Sequence, residues 1–147
     1  MTTTITEKIY AAFDELSQRN TRPRRLIADR LVAYAQTGAD FSTEDLWQEL
    51  RQLDPRIGRA TVFRSIEKLV ERRLLDRIEF ADGSHRYRVC GDSHHHHHLT
   101  CIDCHRVVEV EVCLPKEQLS ALASQTHFAI EDHSISLFGY CSTCRTS

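Results

Sequence analysis

The sequence has little of what marks several large classes of protein. Glycine occurs 5 times and proline 3 times in 147 residues, too few for a disordered or fibrous chain. No stretch approaches the roughly 18 consecutive apolar residues of a membrane helix. The N-terminus lacks a basic start followed by an apolar run, so we expect no signal peptide. With a formal net charge of −2, the composition predicts a cytoplasmic globular protein with no membrane partner.

Cysteine and histidine are concentrated towards the C-terminus. All 6 cysteines and 8 of the 9 histidines lie at Cys90 or later. Residues 91–147 carry 3 Lys/Arg and 7 Asp/Glu, whereas the basic pairs Arg24-Arg25 and Arg72-Arg73 precede Cys90. This change predicts a first domain at residues 1–89, a hinge at residues 90–93 and a second domain at residues 94–147.

Residues 1–89 show the pattern of a winged helix-turn-helix. Apolar residues at helical spacing predict four helices, at Thr6–Arg19, from Pro23 to Gly38, after Ser42, and at Arg59–Arg73. Leu74–Phe80 and His85–Val89, joined by a turn at Asp82-Gly83, predict a β-hairpin. This order, helices followed by a β-hairpin, is that of a DNA-binding winged helix.

Basic residues in this half are candidates for DNA contacts. A recognition helix brings its N-terminal residues to base edges, and an earlier basic cluster would hold phosphates. The candidates are Arg19, Arg22, Arg24, Arg25, Arg56, Arg59, Thr61 and Arg64. The alternative is a plain helical domain with a solvated basic face.

Two Cys-x-x-Cys pairs, Cys101/Cys104 and Cys141/Cys144, predict a structural zinc site. Two thiolates from one turn can share a tetrahedral ion, and two such turns complete a four-cysteine site. A redox dithiol normally stands at a helix start in a βαβ setting, which this pattern lacks. Structural disulfides are disfavoured in a chain without export signals.

The 36 residues between these pairs predict a small domain of their own. His105–Val112 and Ile135–Tyr140 have strand-like patterns, and Pro115–Ser124 has a helical one. Cys113 has no evident partner and is predicted to lie in the core.

His94–His98 is a run of five histidines inside the chain. Expression tags normally stand at a terminus, and an unspecific metal-binding tract is the other simple interpretation. In an extended strand, His96 and His98 would share one face and His95 and His97 the other. The run therefore predicts two separate metal sites.

Ligands for each face can be proposed from the residues nearby. Asp76 and Cys90, with His96 and His98, would give a mixed oxygen, sulfur and nitrogen tetrahedron that suits zinc. Asp76 is otherwise an exposed strand charge, and Cys90 an ordinary buried thiol. The opposite face would add His133 and an acidic residue.

Taken together, the chain resembles the ferric uptake regulator superfamily of metal-dependent bacterial repressors, from about Glu7 to Cys144. Four motifs carry the resemblance: IGRATVFRSIEKL at 57–69, HHHHHLTCIDC at 94–104, HRVVEVE at 105–111 and HSISLFGYCSTC at 133–144. The resemblance implies an α+β fold, with an N-terminal winged helix-turn-helix joined by a hinge to a small α/β dimerisation domain. It also implies homodimers that bind AT-rich inverted repeats when loaded with metal.

The hinge resembles the zinc uptake regulator branch of that family. Iron- and peroxide-sensing members have an acidic residue at the place of Cys90 and a histidine near the start of the third helix. Residues 39–41, Ala-Asp-Phe, contain no histidine. The resemblance thus implies a regulatory zinc on Asp76, Cys90, His96 and His98.

The resemblance also implies a third metal site and a further DNA contact. The third site maps onto His95, His97, Glu117 and His133, with Glu109 or Glu111 as substitutes for Glu117. Phe63 stands in the recognition helix where Tyr is common, and it can still contact a thymine methyl group.

The resemblance to the zinc branch implies a zinc-responsive repressor of zinc-homeostasis genes. We expect about two to three zinc ions per protomer, double-stranded DNA as partner and no small organic substrate. The alternatives are the same scaffold sensing Fe(II), Mn(II) or peroxide, and a zinc-handling or redox protein that does not bind DNA. No nucleophile–base–orienter spacing is evident, so we expect no enzyme.

Overall fold

The computed structural model describes residues 3–16, 21–90 and 95–145. Its elements in chain order are α1 (Ile5–Leu16), α2 (Arg22–Thr37), α3 (Thr43–Leu53), α4 (Arg59–Glu71), β1 (Leu75–Glu79), β2 (His85–Val89), β3 (His97–Cys101), β4 (Val107–Val110), α5 (Lys116–Thr126) and β5 (Ser136–Gly139). The predicted α+β class is confirmed. No helix among these elements is long and apolar enough to cross a membrane.

The chain divides into two compact units. The first unit is Met1–Ile78 with His85–Ser93, and the second is Glu79–Ser84 with His94–Ser147. Residues 91–93 of the predicted hinge lie outside the described residues, as does His94.

The first unit closes around one apolar core. Each of its four helices turns an apolar stripe inwards, and the hairpin adds one side chain from each strand. The core residues include Ile9, Phe13, Ile27, Leu31, Phe41, Leu46, Leu50, Val62, Ile66, Leu69, Leu75 and Tyr87.

Local signals explain where α2 and α3 begin and end. Gly38 ends α2 in the left-handed conformation at φ 70°, where its N–H donates to the carbonyl of Tyr34. Ser42 caps α3 by accepting from the Asp45 N–H at 3.0 Å, and the Asp45 carboxylate accepts from the Ser42 N–H at 3.3 Å. This reciprocal pair is a capping box.

The hairpin of β1 and β2 positions two of the predicted metal ligands. Main-chain bonds from Phe80 N to Ser84 O and from Cys90 N to Leu74 O, both 2.9 Å, set its antiparallel register. In that register Asp76 stands on the same face of the ribbon as Cys90, because side chains two residues apart share a face. The hairpin therefore presents a carboxylate and a thiol together.

The second unit contains a three-stranded sheet with β3 in the centre. β3 pairs antiparallel with β4, where His98 faces Glu109, and parallel with β5, where Leu99 faces Leu137. Helix α5 buries none of its residues, and Val112 and Phe128 are each 73% exposed. This unit has far less apolar core than the first.

The capping box of α3 is directly testable by substitution. Ser42→Ala removes a side-chain acceptor from the first turn and is expected to lower the free energy of unfolding by about 1 kcal/mol. Urea denaturation followed by circular dichroism measures the change. Gln52→Ala, an exposed substitution in the same helix, is the control and should leave stability unchanged. Equal stability of Ser42→Ala and wild type would contradict the role of the cap.

Candidate metal centres

The four cysteines of the two pairs come together in the second unit. Each pair forms a turn closed by a main-chain bond to its first cysteine: His105 N–H donates to the Cys101 carbonyl at 3.1 Å, and Arg145 N–H to the Cys141 carbonyl at 2.8 Å. β3 ends at Cys101 and β5 ends two residues before Cys141, so the parallel pairing of these strands brings the two turns side by side.

The sulfur geometry fits a tetrahedral ion. All four Sγ atoms lie within 4.8 Å of one another, and Cys104 Sγ is 3.7 Å from Cys141 Sγ. A tetrahedron with metal–sulfur bonds of about 2.3 Å has sulfur–sulfur edges of about 3.8 Å. The cluster therefore has the size of a four-thiolate zinc site.

The electrostatics of the cluster favour ionised sulfur at its first cysteine. Hydrogen bonds from the backbone N–H groups of Cys141 and Cys104 lower the pKa of Cys101 to about 6. A hydrogen bond with Cys141 raises the pKa of Cys144, because a proton held there relieves repulsion between neighbouring sulfurs. A divalent cation would take over that role.

A second group lies on one face of the β3 sheet. The rings of His96 and His98 are 5.1 Å apart between centroids, and His96 Nε2 is 3.8 Å from Glu109 Oε1. Glu109 is also the cross-strand partner of His98, so all three residues share a face. Sequence reasoning offered Glu109 as a substitute ligand for the third site, and that suggestion is wrong because Glu109 stands on the opposite face.

The predicted regulatory ligands come from both units. Asp76 and Cys90 belong to the first unit, and His96 and His98 belong to the second. Their joint binding of one ion stays a prediction.

A third group gathers His95, His97 and His133 with a cysteine. Nε2 of His95 lies 3.2 Å from Nε2 of His97 and 3.1 Å from Nε2 of His133. Cys113 Sγ lies 2.9 Å from His133 Nε2 and 3.5 Å from His95 Nε2. The prediction that Cys113 is a core residue is wrong, since its side chain is exposed beside these rings.

The structure does not bring Glu117 to these histidines. Glu117 lies in the first turn of α5 with an exposed side chain, where a carboxylate stabilises the helix N-terminus. Cys113 precedes the helix and reaches the histidines instead. Strand alternation could not locate it, because β4 ends at Val110 and the chain beyond it is irregular.

His97 is the buried member of this group. Burial, followed by the neighbouring His95, lowers the pKa of His97, so its ring is held neutral as metal binding requires. The Ile135 N–H points at His97 Nδ1 at 3.1 Å, which favours a proton on Nε2. A metal on Nε2 would require the ring proton on Nδ1, so the hydrogen bond from the Ile135 N–H would be lost.

The DNA-contact candidates fall into two groups in the first unit. Arg56 forms a two-point ion pair with Asp54 at 3.0 and 3.2 Å, Arg22 lies 3.8 Å from the same carboxylate, and Arg59 pairs with Glu44. These three guanidinium groups already have carboxylate partners. Arg19 lies outside the described residues.

Three of the remaining candidates line a groove beside the predicted recognition helix α4. Arg24, Thr61 and Arg64 line this groove of 260 Å³ together with Lys68. Arg25 is exposed near the start of α2, and Phe63 is 43% exposed on α4. The groove combines cationic groups with a hydroxyl, which suits a nucleic-acid backbone.

The chain combines a winged-helix unit with a unit in which cysteines and histidines are grouped as possible metal ligands. This combination is typical of metal-responsive transcription regulators. The sequence profile of the Ferric uptake regulator family matches residues 15–138, and the chain belongs to this family.

Relatives in the family carry both iron and zinc names. The chain is 38% identical over 106 residues to the ferric uptake regulation protein of Bacillus subtilis, covering 71% of each chain. It is 35% identical over 129 residues to the zinc uptake regulation protein of Mycobacterium tuberculosis, covering 87% of this chain and 95% of the relative.

Solved structures share the fold. A structure described as a zinc uptake regulator complexed with zinc and DNA aligns with a TM-score of 0.65 at 24% identity, covering 97% of this chain and 96% of that one. The Helicobacter pylori ferric uptake regulator aligns with a TM-score of 0.63 at 17% identity, covering 97% and 94%.

Removing one sulfur tests the four-cysteine centre. Cys101→Ser should lower the zinc content by one ion per protomer and lower the midpoint of thermal unfolding, because Cys101 is buried within the cluster. Zinc quantification with a chromogenic chelator and a thermal melt measure both effects. Ser142→Ala, in the turn between Cys141 and Cys144, is the matched control and should change neither. A Cys101→Ser protein with full zinc content would refute the site.

Proposed function

We propose that this chain is a zinc-responsive transcriptional repressor. It binds AT-rich inverted repeats as a metal-loaded homodimer and controls zinc-homeostasis genes. The observation that carries this proposal is the thiol of Cys90 on the same ribbon face as Asp76, because thiolate ligands favour zinc over Fe(II) and Mn(II). The regulatory ion would be held by these two residues with His96 and His98.

The surroundings of Asp40 support the same choice of metal. Asp40 Oδ1 accepts from Arg86 Nε at 2.6 Å, and its other oxygen lies 3.9 Å from Arg88. This carboxylate stands in the short segment where the family's iron sensors supply a histidine. Because Asp40 is engaged by two guanidinium groups, it is poorly suited to replace that histidine as a ligand.

Homodimer formation is supported by the exposed apolar surface of the second unit. Leu99, Val108 and Leu137 are cross-strand neighbours on one face of the sheet and are 38%, 42% and 44% exposed. Apolar surface of this kind is stabilised when a partner covers it. A second copy of the chain would supply such a cover and pair two DNA-binding units.

Distribution of the regulatory ligands over two units supplies a mechanism. One ion bound by Asp76 and Cys90 on one side and by His96 and His98 on the other fixes how the units stand to each other. In a dimer this sets the separation of two recognition helices, which must match half-sites about one helical turn apart. A difference in zinc affinity worth ~5.5 kcal/mol between the two arrangements switches the population almost completely.

An iron- or manganese-responsive regulator is the second candidate, and one observation favours it. Glu109 lies 3.8 Å from His96 and offers an oxygen ligand on the same face. Oxygen-rich sites suit Fe(II) and Mn(II). The 38% identity to a ferric uptake regulation protein is consistent with this candidate. A peroxide-responsive regulator on the same scaffold would show oxidised ligand histidines in aerobically grown protein.

DNA binding at controlled free metal separates these candidates. Purified protein is incubated with fragments of its source genome at buffered high and low free zinc, and with Fe(II) or Mn(II) under anaerobic conditions. Capture of AT-rich inverted repeats at high zinc alone is the expected result. Cys90→Ser should abolish this zinc response and leave a folded dimer, because the hinge site loses its sulfur.

The control for Cys90→Ser is His85→Ala, which removes an imidazole from the same hairpin outside the proposed site and should retain the zinc response. Size-exclusion chromatography checks that both variants remain dimers. Capture of DNA with Fe(II) or Mn(II) but not with zinc would instead support an iron- or manganese-responsive regulator. A Cys90→Ser dimer with a full zinc response would overturn the assignment of the hinge ligand.

Arg64 provides an independent test of the DNA-binding surface. It is exposed on α4, and its Nε donates to the Ala60 carbonyl at 3.2 Å, which holds it at the groove. Arg64→Ala should weaken operator binding by about 1–3 kcal/mol if the side chain reads a base. Fluorescence anisotropy on specific and scrambled DNA measures the loss. Arg51→Ala, on α3, is the control, and unchanged binding by Arg64→Ala would exclude the contact.

A further inference from the structure

The group of His95, His97, His133 and Cys113 carries an assignment beyond zinc sensing at the hinge. We propose that Cys113 is the fourth ligand of this group, which makes it a site of three imidazoles and one thiolate. The resemblance to the family implies a carboxylate at this position instead. The proposal does not rest on DNA binding or on the identity of the regulatory metal.

The distances match a tetrahedral ion. Bonds of about 2.0–2.1 Å to nitrogen and about 2.3 Å to sulfur give nitrogen–nitrogen edges of about 3.3 Å and nitrogen–sulfur edges of about 3.6 Å. The measured Nε2–Nε2 edges at His95 are 3.2 and 3.1 Å. The edge from Cys113 Sγ to His95 Nε2 is 3.5 Å, and the one to His133 is shorter at 2.9 Å.

Three different segments hold these atoms in place. His97 is the first residue of β3 and His95 lies two residues before it, Cys113 lies between β4 and α5, and His133 precedes β5. The ligand atoms all lie within 4.8 Å of one another. Because three chain segments meet there, the ion would join the central strand to both of its neighbours.

Cys113 and Glu117 lie in different segments of the chain, and only Cys113 lies near the three histidines. Pro115 stands at the N-cap of α5 with φ −59°, so the helix begins directly after it and Glu117 falls within the first turn. A ligand in that turn belongs to the helix, whereas Cys113 belongs to the irregular segment leaving β4. Only the latter is grouped with the three histidines.

The thiolate determines which metals the site accepts. Imidazole and thiolate together suit zinc and cobalt, whereas Mn(II) and Mg(II) favour oxygen ligands. The sulfur also gives the site a spectroscopic signature with Co(II), because sulfur-to-cobalt charge transfer absorbs in the near ultraviolet and a nitrogen–oxygen site has no such band.

Cobalt titration of the full-length protein tests the assignment. The parent is Cys90→Ser with zinc in the four-cysteine centre, so Cys113 is the one thiol outside that centre. Anaerobic addition of Co(II) should give tetrahedral visible bands and a near-ultraviolet charge-transfer band that saturates at one equivalent. Adding Cys113→Ser should abolish the charge-transfer band. Adding Glu117→Ala should leave it unchanged.

Two further measurements control for other sources of the cobalt signal. Zinc released during the titration is quantified and must stay at zero, because zinc release would show that Co(II) had entered the four-cysteine centre. Cys113→Asp should restore tetrahedral cobalt bands without charge transfer, which shows that the site still folds. A charge-transfer band that survives Cys113→Ser, is lost in Glu117→Ala, or is missing in the parent would overturn the proposal. None of these outcomes depends on zinc-dependent DNA binding.

Discussion

The alternation of side chains along one short strand is the constraint on which the second unit depends. β3 is the central strand of the sheet, and the histidines at its start and in the two residues before it point alternately to two sides. His96 and His98 therefore stand with Glu109, while His95 and His97 stand with Cys113 and His133. The strand then ends at Cys101, inside the four-cysteine cluster. Ten residues of chain thus supply ligand atoms to three groups, and a one-residue change of register would exchange the two histidine faces.

The two units are stabilised in different ways because their compositions differ. The first unit buries apolar side chains from every helix, and Leu31, Phe41 and Leu46 are fully inaccessible to solvent. In the described part of the second unit, burial falls mainly on polar strand residues such as His97 and Thr100. Burying so little apolar surface contributes little to folding. Metal–ligand bonds and a partner copy would therefore add stability that this unit's own apolar core does not supply.

Much of this arrangement was predictable because the signals are local. Helical periodicity and the Ser42 cap give α3, and the Cys-x-x-Cys spacing gives the four-cysteine cluster. The sequence did not predict the placement of ligand residues that depends on pairing between distant segments. Glu109 is assigned to its face by the β3–β4 register, and Cys113 by an irregular segment that no periodicity describes. The ion pair between Arg59 and Glu44, which stand on different helices, likewise depends on tertiary placement.

Because two of the ligand groups draw on neighbouring residues of one chain segment, metal binding at one group would affect binding at the other. An ion bound by His95 and His97 would fix the backbone that presents His96 and His98, because the four residues follow one another in the chain. A hinge ion would then meet ligands that are already ordered and would lose less conformational entropy on binding. By thermodynamic reciprocity, hinge occupancy would strengthen binding on the other face by the same factor. A thiolate from Cys113 in place of a carboxylate would therefore affect more than one site, since the metal preference of one face would influence the apparent affinity of the other.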